Sequence, residues 1–189
     1  MDFIKTEIEG VYIIKPKVIE DSRGYFFEAF SEKEFCENVR EIKFVQENES
    51  LSKKNVIRGL HFQKAPYSQS KLIKVVKGRV LDVAVDIRKD SPTLGKHVAV
   101  ELSEDNHLQV FIPRGFAHGF AVLSDEAIFQ YKCDNYYAPG YEGAIAWNDP
   151  DLNIDWQIPA SDTILSAKDQ NNPQLKDSED LFDYNIDLY

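Results

Sequence analysis

Along most of this chain, apolar and polar positions alternate over short runs with a period of two. In residues 80–87, Leu81, Val83, Val85 and Ile87 alternate with Val80, Asp82, Ala84 and Asp86. That is the spacing of a strand whose successive side chains point to opposite faces. One face is wholly aliphatic. The other carries Asp82 and Asp86 on a half-apolar surface, which fits either a solvated outer face or the floor of a polar pocket. Upstream, 71–77 is a second run rich in β-branched residues, and Lys77-Gly78 punctuates the two. The stretch 71–88 is therefore expected to form a hairpin.

Further strands are predicted at 25–30, 44–50, 98–102, 108–112, 127–133 and 144–147, with shorter apolar runs at 11–14 and 18–19 around Pro16. The aromatic residues of 25–30 fall on both faces, which suits burial on both sides or an interface. Polar turns separate these runs at 20–24, 52–55, 90–95 and 148–152, and 64–70 with Pro66 reads as a surface loop. The one clear helix signal is Ser31-Glu32-Lys33-Glu34, a capping box ahead of Phe35 and Val39. Residues 113–120, P-R-G-F-A-H-G-F, read as a glycine-punctuated connection. After Trp156 the pattern fades, and the acidic tail from Lys176 is expected to be a loose helix or an extended arm. Many short strands with a single helix indicate an antiparallel sandwich or barrel. A jelly roll is the natural candidate, because its two sheets enclose a cup.

Residues 57–63, I-R-G-L-H-F-Q, place an arginine and a histidine three apart in an otherwise apolar strand. Strict alternation would put Arg58 and His61 on opposite faces. An isolated glycine inside a strand often marks a bulge, and a bulge at Gly59 would bring the two onto one face. The alternative is an edge strand with a solvated arginine and a hydrogen-bonded histidine.

The length, 189 residues, suits one domain, and no repeat, low-complexity segment or domain-scale linker interrupts it. Net charge is −10, which makes the chain a poor candidate for sequence-independent nucleic-acid binding through a basic footprint. A phosphorylated small molecule can still be held by a few local Arg and Lys side chains. Cys36 and Cys133 match no metal spacing. Free thiols in a reducing compartment are expected, with a bridge as the alternative. The first ten residues are acidic and lack an apolar core, so no signal peptide is expected. No apolar run approaches membrane-spanning length. A cytoplasmic enzyme or binding protein is the resulting expectation.

There is no phosphate-cradling glycine loop, no G-x-S-x-G and no C-x-x-C. His61, His97, His107 and His118 form no H-x-H or H-x-x-x-H pair, so no metal is expected. His97 and His107 lie in polar, turn-flanked places and read as surface residues. What remains is an acid–base set: His61, Lys71, Asp82, His118, Tyr131 and Asp169, with Arg23, Arg58 and Arg114. A histidine held by a carboxylate is a good general base near neutral pH. A lysine or arginine can stabilise an oxyanion, and a tyrosine can return a proton. Such groups can remove a proton beside a carbonyl and replace it on the other face without a cofactor. Residue types alone do not single out that reaction, since any barrel of this size carries them.

Ordered segments narrow the reading. The chain carries D-S-R-G-Y-F-F-E at 21–28, F-V-Q-E-N at 44–48, N-V-I-R-G-L-H-F-Q at 55–63 and V-L-D-V-A-V-D-I-R at 80–88. It continues with P-R-G-F-A-H-G-F at 113–120, F-Q-Y-K at 129–132 and L-S-A-K-D at 165–169. In number, order and spacing these segments resemble the dTDP-4-dehydrorhamnose 3,5-epimerase family across nearly the whole chain. The resemblance implies an all-β, metal-free, cupin-type jelly roll with a few short helices, built as one domain over 1–189 and without cofactor. It implies a dTDP-sugar substrate and a homodimer with an exchanged N-terminal segment, with the C-terminal tail peripheral and no nucleic-acid or membrane partner.

The implied catalytic residues are His61 as base, Asp169 as the carboxylate that orients it, Lys71 at the enolate and Tyr131 as the acid on the opposite side. Arg58 would lie near the carbonyl or the phosphates, and Gln46, Asn48, His118, Glu142 and Lys168 would contact substrate. Arg23, Phe26 and Glu28 would reach into the partner's site, and Arg23, Arg58 and Arg114 would face the diphosphate. Glu47 stands where relatives often have Asp, the 64–70 loop varies in the family, and the tail after Asp177 matches nothing in it. A single-site 3- or 5-epimerase, a ketoisomerase or a non-catalytic nucleotide-sugar-binding module are the other readings. Loss of Tyr131 would favour the first two, and loss of His61 or Asp169 the last; all three residues are present.

Overall fold

The period-two alternation becomes two antiparallel sheets packed face to face. The computed structural model describes residues 1–189. In chain order the strands begin with β1 (Asp2–Lys5), β2 (Tyr12–Lys15), β3 (Ile19–Asp21) and β4 (Gly24–Phe26), followed by helix α1 (Glu32–Asn38). Then come β5 (Gln46–Lys53), β6 (Ile57–Gln63), β7 (Lys71–Lys77), β8 (Arg79–Asp86) and β9 (Arg88–Lys89). The rest are β10 (His97–Ser103), β11 (Gln109–Ile112), β12 (Phe116–Val122), β13 (Glu126–Cys133), β14 (Glu142–Ala144) and β15 (Phe182–Asp183). A six-stranded sheet runs β1-β2-β11-β7-β13-β5, and a five-stranded sheet runs β10-β8-β12-β6-β14. No helix is long and apolar enough to cross a membrane.

Side-chain alternation sorts the core into layers. Ile73, Val75, Val110 and Phe129 of the larger sheet meet Val80, Ala84, Phe116 and Phe120 of the smaller one. Phe120 and Phe129 stack between the sheets, with centroids 4.0 Å apart and planes 11° off parallel. Leu81, Val83, Val85 and Ile87 point the other way, under Ile145, Leu152, Trp156 and Phe182. This is why all of β8 from Val80 onward is buried. Outside the larger sheet, Phe35 of α1 packs on Ile14, Leu72 and Phe111. Helix α1 forms where the capping box foresaw it, and Ser31 accepts from the Glu34 amide. The reciprocal half of the box is diverted, because Glu34 pairs with the Met1 ammonium at 3.0 Å.

Several sequence expectations are corrected. The 71–88 stretch is no hairpin: β7 and β8 belong to different sheets. Gly78 alone joins them, at φ +78°, one residue fewer than the tightest common hairpin loop. The chain turns a corner there instead. Residues 25–30 form a strand only as far as Phe26, paired with β3 in an exposed hairpin. Beyond it Phe30 turns inward onto Phe35 and Phe44. Residues 116–122 are the buried central strand β12, not a connection. A Cβ on Gly119 would lie 2.7 Å from the Arg58 carbonyl oxygen, so this glycine serves a close approach of two strands. The 64–70 loop is not wholly at the surface, since Ser68 and Ser70 are buried. The last strand of the main sheets is Glu142–Ala144, shifted toward the N-terminus from the expected 144–147. The tail is an extended arm that adds β15 parallel to β9.

Candidate active site

The site grows from a defect in β6. Arg58 pairs with Phe120 and His61 with His118, so two residues of β6 stand opposite the single Gly119 of β12. This is a bulge, and it returns Arg58 and His61 to the same, inward face. Gly59 holds φ +131°, and a Cβ there would meet the Gly119 Cα at 2.5 Å. Only glycine fits both the conformation and the crossing.

Two histidine–carboxylate pairs result. His61 Nε2 lies 2.5 Å from Asp169 Oδ1. With the carboxylate ionised, Nε2–H donates, and Nδ1 is left as the basic nitrogen. Asp169 is buried and its Oδ2 accepts from Ser166 Oγ at 2.9 Å. Burial acts to raise the Asp169 pKa, but the hydrogen bond and charge of His61, with Ser166 and Asn172 reinforcing them, together outweigh it and hold the carboxyl below its usual range. The second pair is His118 Nε2 with Asp82 Oδ2 at 2.8 Å, and His118 Nδ1 lies 3.5 Å from Lys71 Nζ. Asp82, His118 and Lys71 thus form one chain across the cup floor. Asp82 is neither solvated nor an incidental face residue. Burial pushes both Lys71 and His118 below their ordinary values.

The opposite wall belongs to the other sheet. Tyr131 of β13 stands directly across from Asn48 on β5 and Ile73 on β7. Burial raises its phenol pKa, with Cys133 reinforcing the shift. Cys133 faces Lys71 across the ladder and burial lifts its thiol to about 11. Gln46 Nε2 donates to Asn48 Oδ1 at 3.0 Å, and Arg58 Nε donates to Ser52 Oγ at 3.0 Å. At the rim, Lys168 Nζ and Glu142 Oε2 pair at 2.5 Å.

His61, Lys71, Tyr131, Glu142 and Lys168 line one cleft of about 140 Å³, with Asp169 and His118 immediately behind. Pockets for whole ligands are usually ~300–1,000 Å³. One chain therefore walls in a part the size of a sugar ring. Arg23, Phe26 and Glu28 are not brought to this cleft. They sit on or just beyond the β3–β4 hairpin, with Phe26 71% exposed and Arg23 paired to Asp21. Arg114 is also elsewhere, bound to Asp134 and the Leu188 carbonyl. His97 and His107 lie outside the cleft, His107 against Tyr25 and Phe27. Sequence reasoning missed Gln63, Gln69 and Tyr137 in the lining, and Ser166 behind Asp169. Ser166 was within reach, since it stands in the L-S-A-K-D segment three residues before the carboxylate. Both cysteines are free, and no cluster of three or more His, Cys, Asp or Glu side chains is placed to hold a metal.

A family model described as dTDP-4-dehydrorhamnose 3,5-epimerase matches residues 5–177. A protein of that name from Shigella flexneri is 53% identical over 180 residues, covering 95% of this chain and 98% of that protein. The crystal structure of dTDP-4-dehydrorhamnose 3,5-epimerase from Elizabethkingia anophelis superposes with a TM-score of 0.90 at 52% identity, over 95% of this chain and 98% of that one. A dTDP-6-deoxy-D-glucose-3,5-epimerase from Legionella pneumophila, solved with dTDP-4-keto-L-rhamnose, gives a TM-score of 0.93 at 46% identity, over 98% and 99% of the two chains.

Proposed function

The chain belongs to the dTDP-4-dehydrorhamnose 3,5-epimerase family, and from the arrangement of its cup we propose how its side chains divide the reaction. The protein is an epimerase of dTDP-L-rhamnose biosynthesis. It inverts C3 and C5 of dTDP-4-dehydro-6-deoxy-D-glucose to give dTDP-4-dehydro-L-rhamnose. Both carbons flank the C4 ketone, so loss of either proton places negative charge on the same carbonyl oxygen. One oxyanion-stabilising group can then serve both steps.

His61 takes the proton through Nδ1, and Asp169 stabilises the imidazolium that forms. Lys71, half-buried at the cup floor and oriented by His118 and Asp82, faces the enolate oxygen, where low dielectric strengthens the attraction. Tyr131 returns a proton from the other sheet. The observation that carries this reading is the opposition of the His61–Asp169 pair, 2.5 Å apart, to a half-buried phenol on the facing wall. Inversion needs a base and an acid on opposite faces of one carbon, and the two sheets supply them. After C3 inverts, His61 gives its proton to solvent and Tyr131 takes one from it, the ring shifts, and the same groups act at C5.

Arg58, Gln46, Asn48, Glu142 and Lys168 hold the rest of the substrate. The cleft of one chain encloses a sugar-sized volume, and Tyr25 and Phe26 project exposed from the β3–β4 hairpin. These features support a homodimer in which that hairpin, with Arg23, Phe26 and Glu28, completes the partner's nucleotide site. The whole chain acts as one domain, and its free thiols suit a reducing cytoplasm.

The test is deuterium incorporation from D2O during turnover of dTDP-4-dehydro-6-deoxy-D-glucose, read at C3 and C5 by NMR. Label at both carbons is expected, and its loss in His61→Ala. Label at one carbon would mean a single-site epimerase and would remove the ring-shift step. Label at both carbons in His61→Ala would remove His61 from the role of base.

A further inference from the structure

The family match ends at residue 177, yet the last residues are tied to the back of the catalytic wall. Tyr189 lies between two guanidinium groups, Arg40 at 3.8 Å and Arg114 at 4.8 Å from its ring centroid. Its hydroxyl pairs with Ser70 Oγ at 2.6 Å and accepts from the Arg114 amide at 3.3 Å. The residues before it are tethered as well. Arg40 Nη2 donates to both Asp187 oxygens, at 2.7 and 2.9 Å, and Arg114 Nη1 donates to the Leu188 carbonyl at 2.6 Å. Farther back, Tyr184 donates to Glu9 and Phe182 is buried.

Ser70 is the point of interest. It is wholly buried and immediately precedes Lys71. Asp134 accepts from the Ser70 amide at 2.6 Å and from Arg114 Nε at 3.0 Å. Asp134 also follows Cys133, the residue directly opposite Lys71. Leu72 packs in the outer cluster and Ile73 in the inner one. By alternation Ser70 faces outward, toward Tyr189, and Lys71 faces inward, toward His118.

We propose that residues 178–189 form a strap whose Tyr189 is a positioning residue for Lys71. By fixing Ser70 from outside the sheet, it holds the backbone from which Lys71 reaches into the cup. Tyr189 touches no reacting atom. The inference rests on the reading of Lys71 as the enolate-stabilising group. A contact that orients one catalytic ammonium acts on the transition state more than on substrate binding.

The test compares Tyr189→Phe, Tyr189→Ala and Lys71→Met by steady-state kinetics and thermal melting of the full chain. Tyr189→Phe keeps the ring between the arginines and removes only the hydroxyl. Its kcat should fall roughly five-fold with KM unchanged, while the melting temperature drops by only a few degrees for the unpaired Ser70 hydroxyl and the chain stays folded at assay temperature. Tyr189→Ala should lower kcat on the order of a hundred-fold, the scale of a 1 Å misplacement. If Tyr189→Ala does not fold, Tyr189→Phe decides alone. Full kcat in Tyr189→Phe, or a fall no larger than the loss of folded protein, would overturn the strap while a dead Lys71→Met left the role of Lys71 standing. An active Lys71→Met would overturn both.

Discussion

At the scale of single residues, burial moves the two groups on the facing wall in opposite directions. Lys71 is driven down from 10.5 and Tyr131 up from 10.0. In the proposed division of the reaction, the lysine acts charged and the phenol acts protonated. As pH rises, Lys71 loses its proton through its lowered value while Tyr131 stays protonated past its ordinary one. The alkaline limb of kcat is therefore expected to follow Lys71. In Lys71→Arg that limb should move to higher pH, because a guanidinium stays charged throughout. In Tyr131→Phe, kcat should fall by ~10²–10⁴ with the limb in place. A kcat profile against pH for the three proteins checks both statements. The identities of these groups were legible from motif order, but their couplings were not. Nothing local to Asp82 says that it will meet His118, which lies 36 residues away on an adjacent strand.

At the scale of elements, strand existence was easier to read than strand pairing. The 71–77 and 80–87 runs carry the right period, yet hydrogen-bond partners are chosen non-locally, and Gly78 sends them to different sheets. Glycine also misled at 113–120, where Gly119 is needed for contact rather than for a turn. The turn after β8 shows an element held by one carboxylate. Asp86, wholly buried, accepts from Arg88 Nε, Nη2 and backbone N, from Ser91 Oγ and from Thr93 Oγ1. Burial alone would raise its pKa, but the Arg88, Ser91 and Thr93 bonds outweigh it and leave the carboxyl below its ordinary value. A group with a depressed folded pKa contributes its full stability above the unfolded pKa and loses it as pH falls through the folded one. Asp86→Asn should cost about 3–5 kcal/mol near neutral pH, the usual result of breaking a buried pair. The difference from the parent protein should shrink below about pH 3.9. Urea denaturation at several pH values measures it.

At the scale of the whole molecule, the proposed site lets an acidic chain of net charge −10 meet an anionic substrate with a few local cations, Arg58, Lys71 and Lys168 in the cup and Arg23 on the hairpin. If the hairpin serves the neighbouring subunit, two inactive proteins should repair each other. Mixing His61→Ala with a chain altered at Arg23 and Phe26, after reversible dissociation, should restore about a quarter of the parental activity. That fraction follows from random pairing in a two-fold dimer, where half the dimers are mixed and each has one intact site. Zero recovery, with mixed dimers present, would place the hairpin in its own subunit's site. The aromatic run 25–30 was legible as doubly buried or interfacial, but not that its first residues stand exposed on a hairpin while Phe30 turns into the core.

The stacked Phe120–Phe129 pair gives the cup a mechanical property. His61 and His118 ride on one sheet, Lys71 and Tyr131 on the other, and these two rings lie between the plates two residues from His118 and from Tyr131. They act as a gauge block that sets the opening of a pair of jaws. Interiors this dense do not yield gradually, so the jaw gap is a property of the close-packed apolar filling rather than of any group that meets the sugar. A lineage retuning this enzyme toward a wider sugar, or toward stopping after one inversion, could do so by changing the thickness of that filling and leaving every polar residue in place.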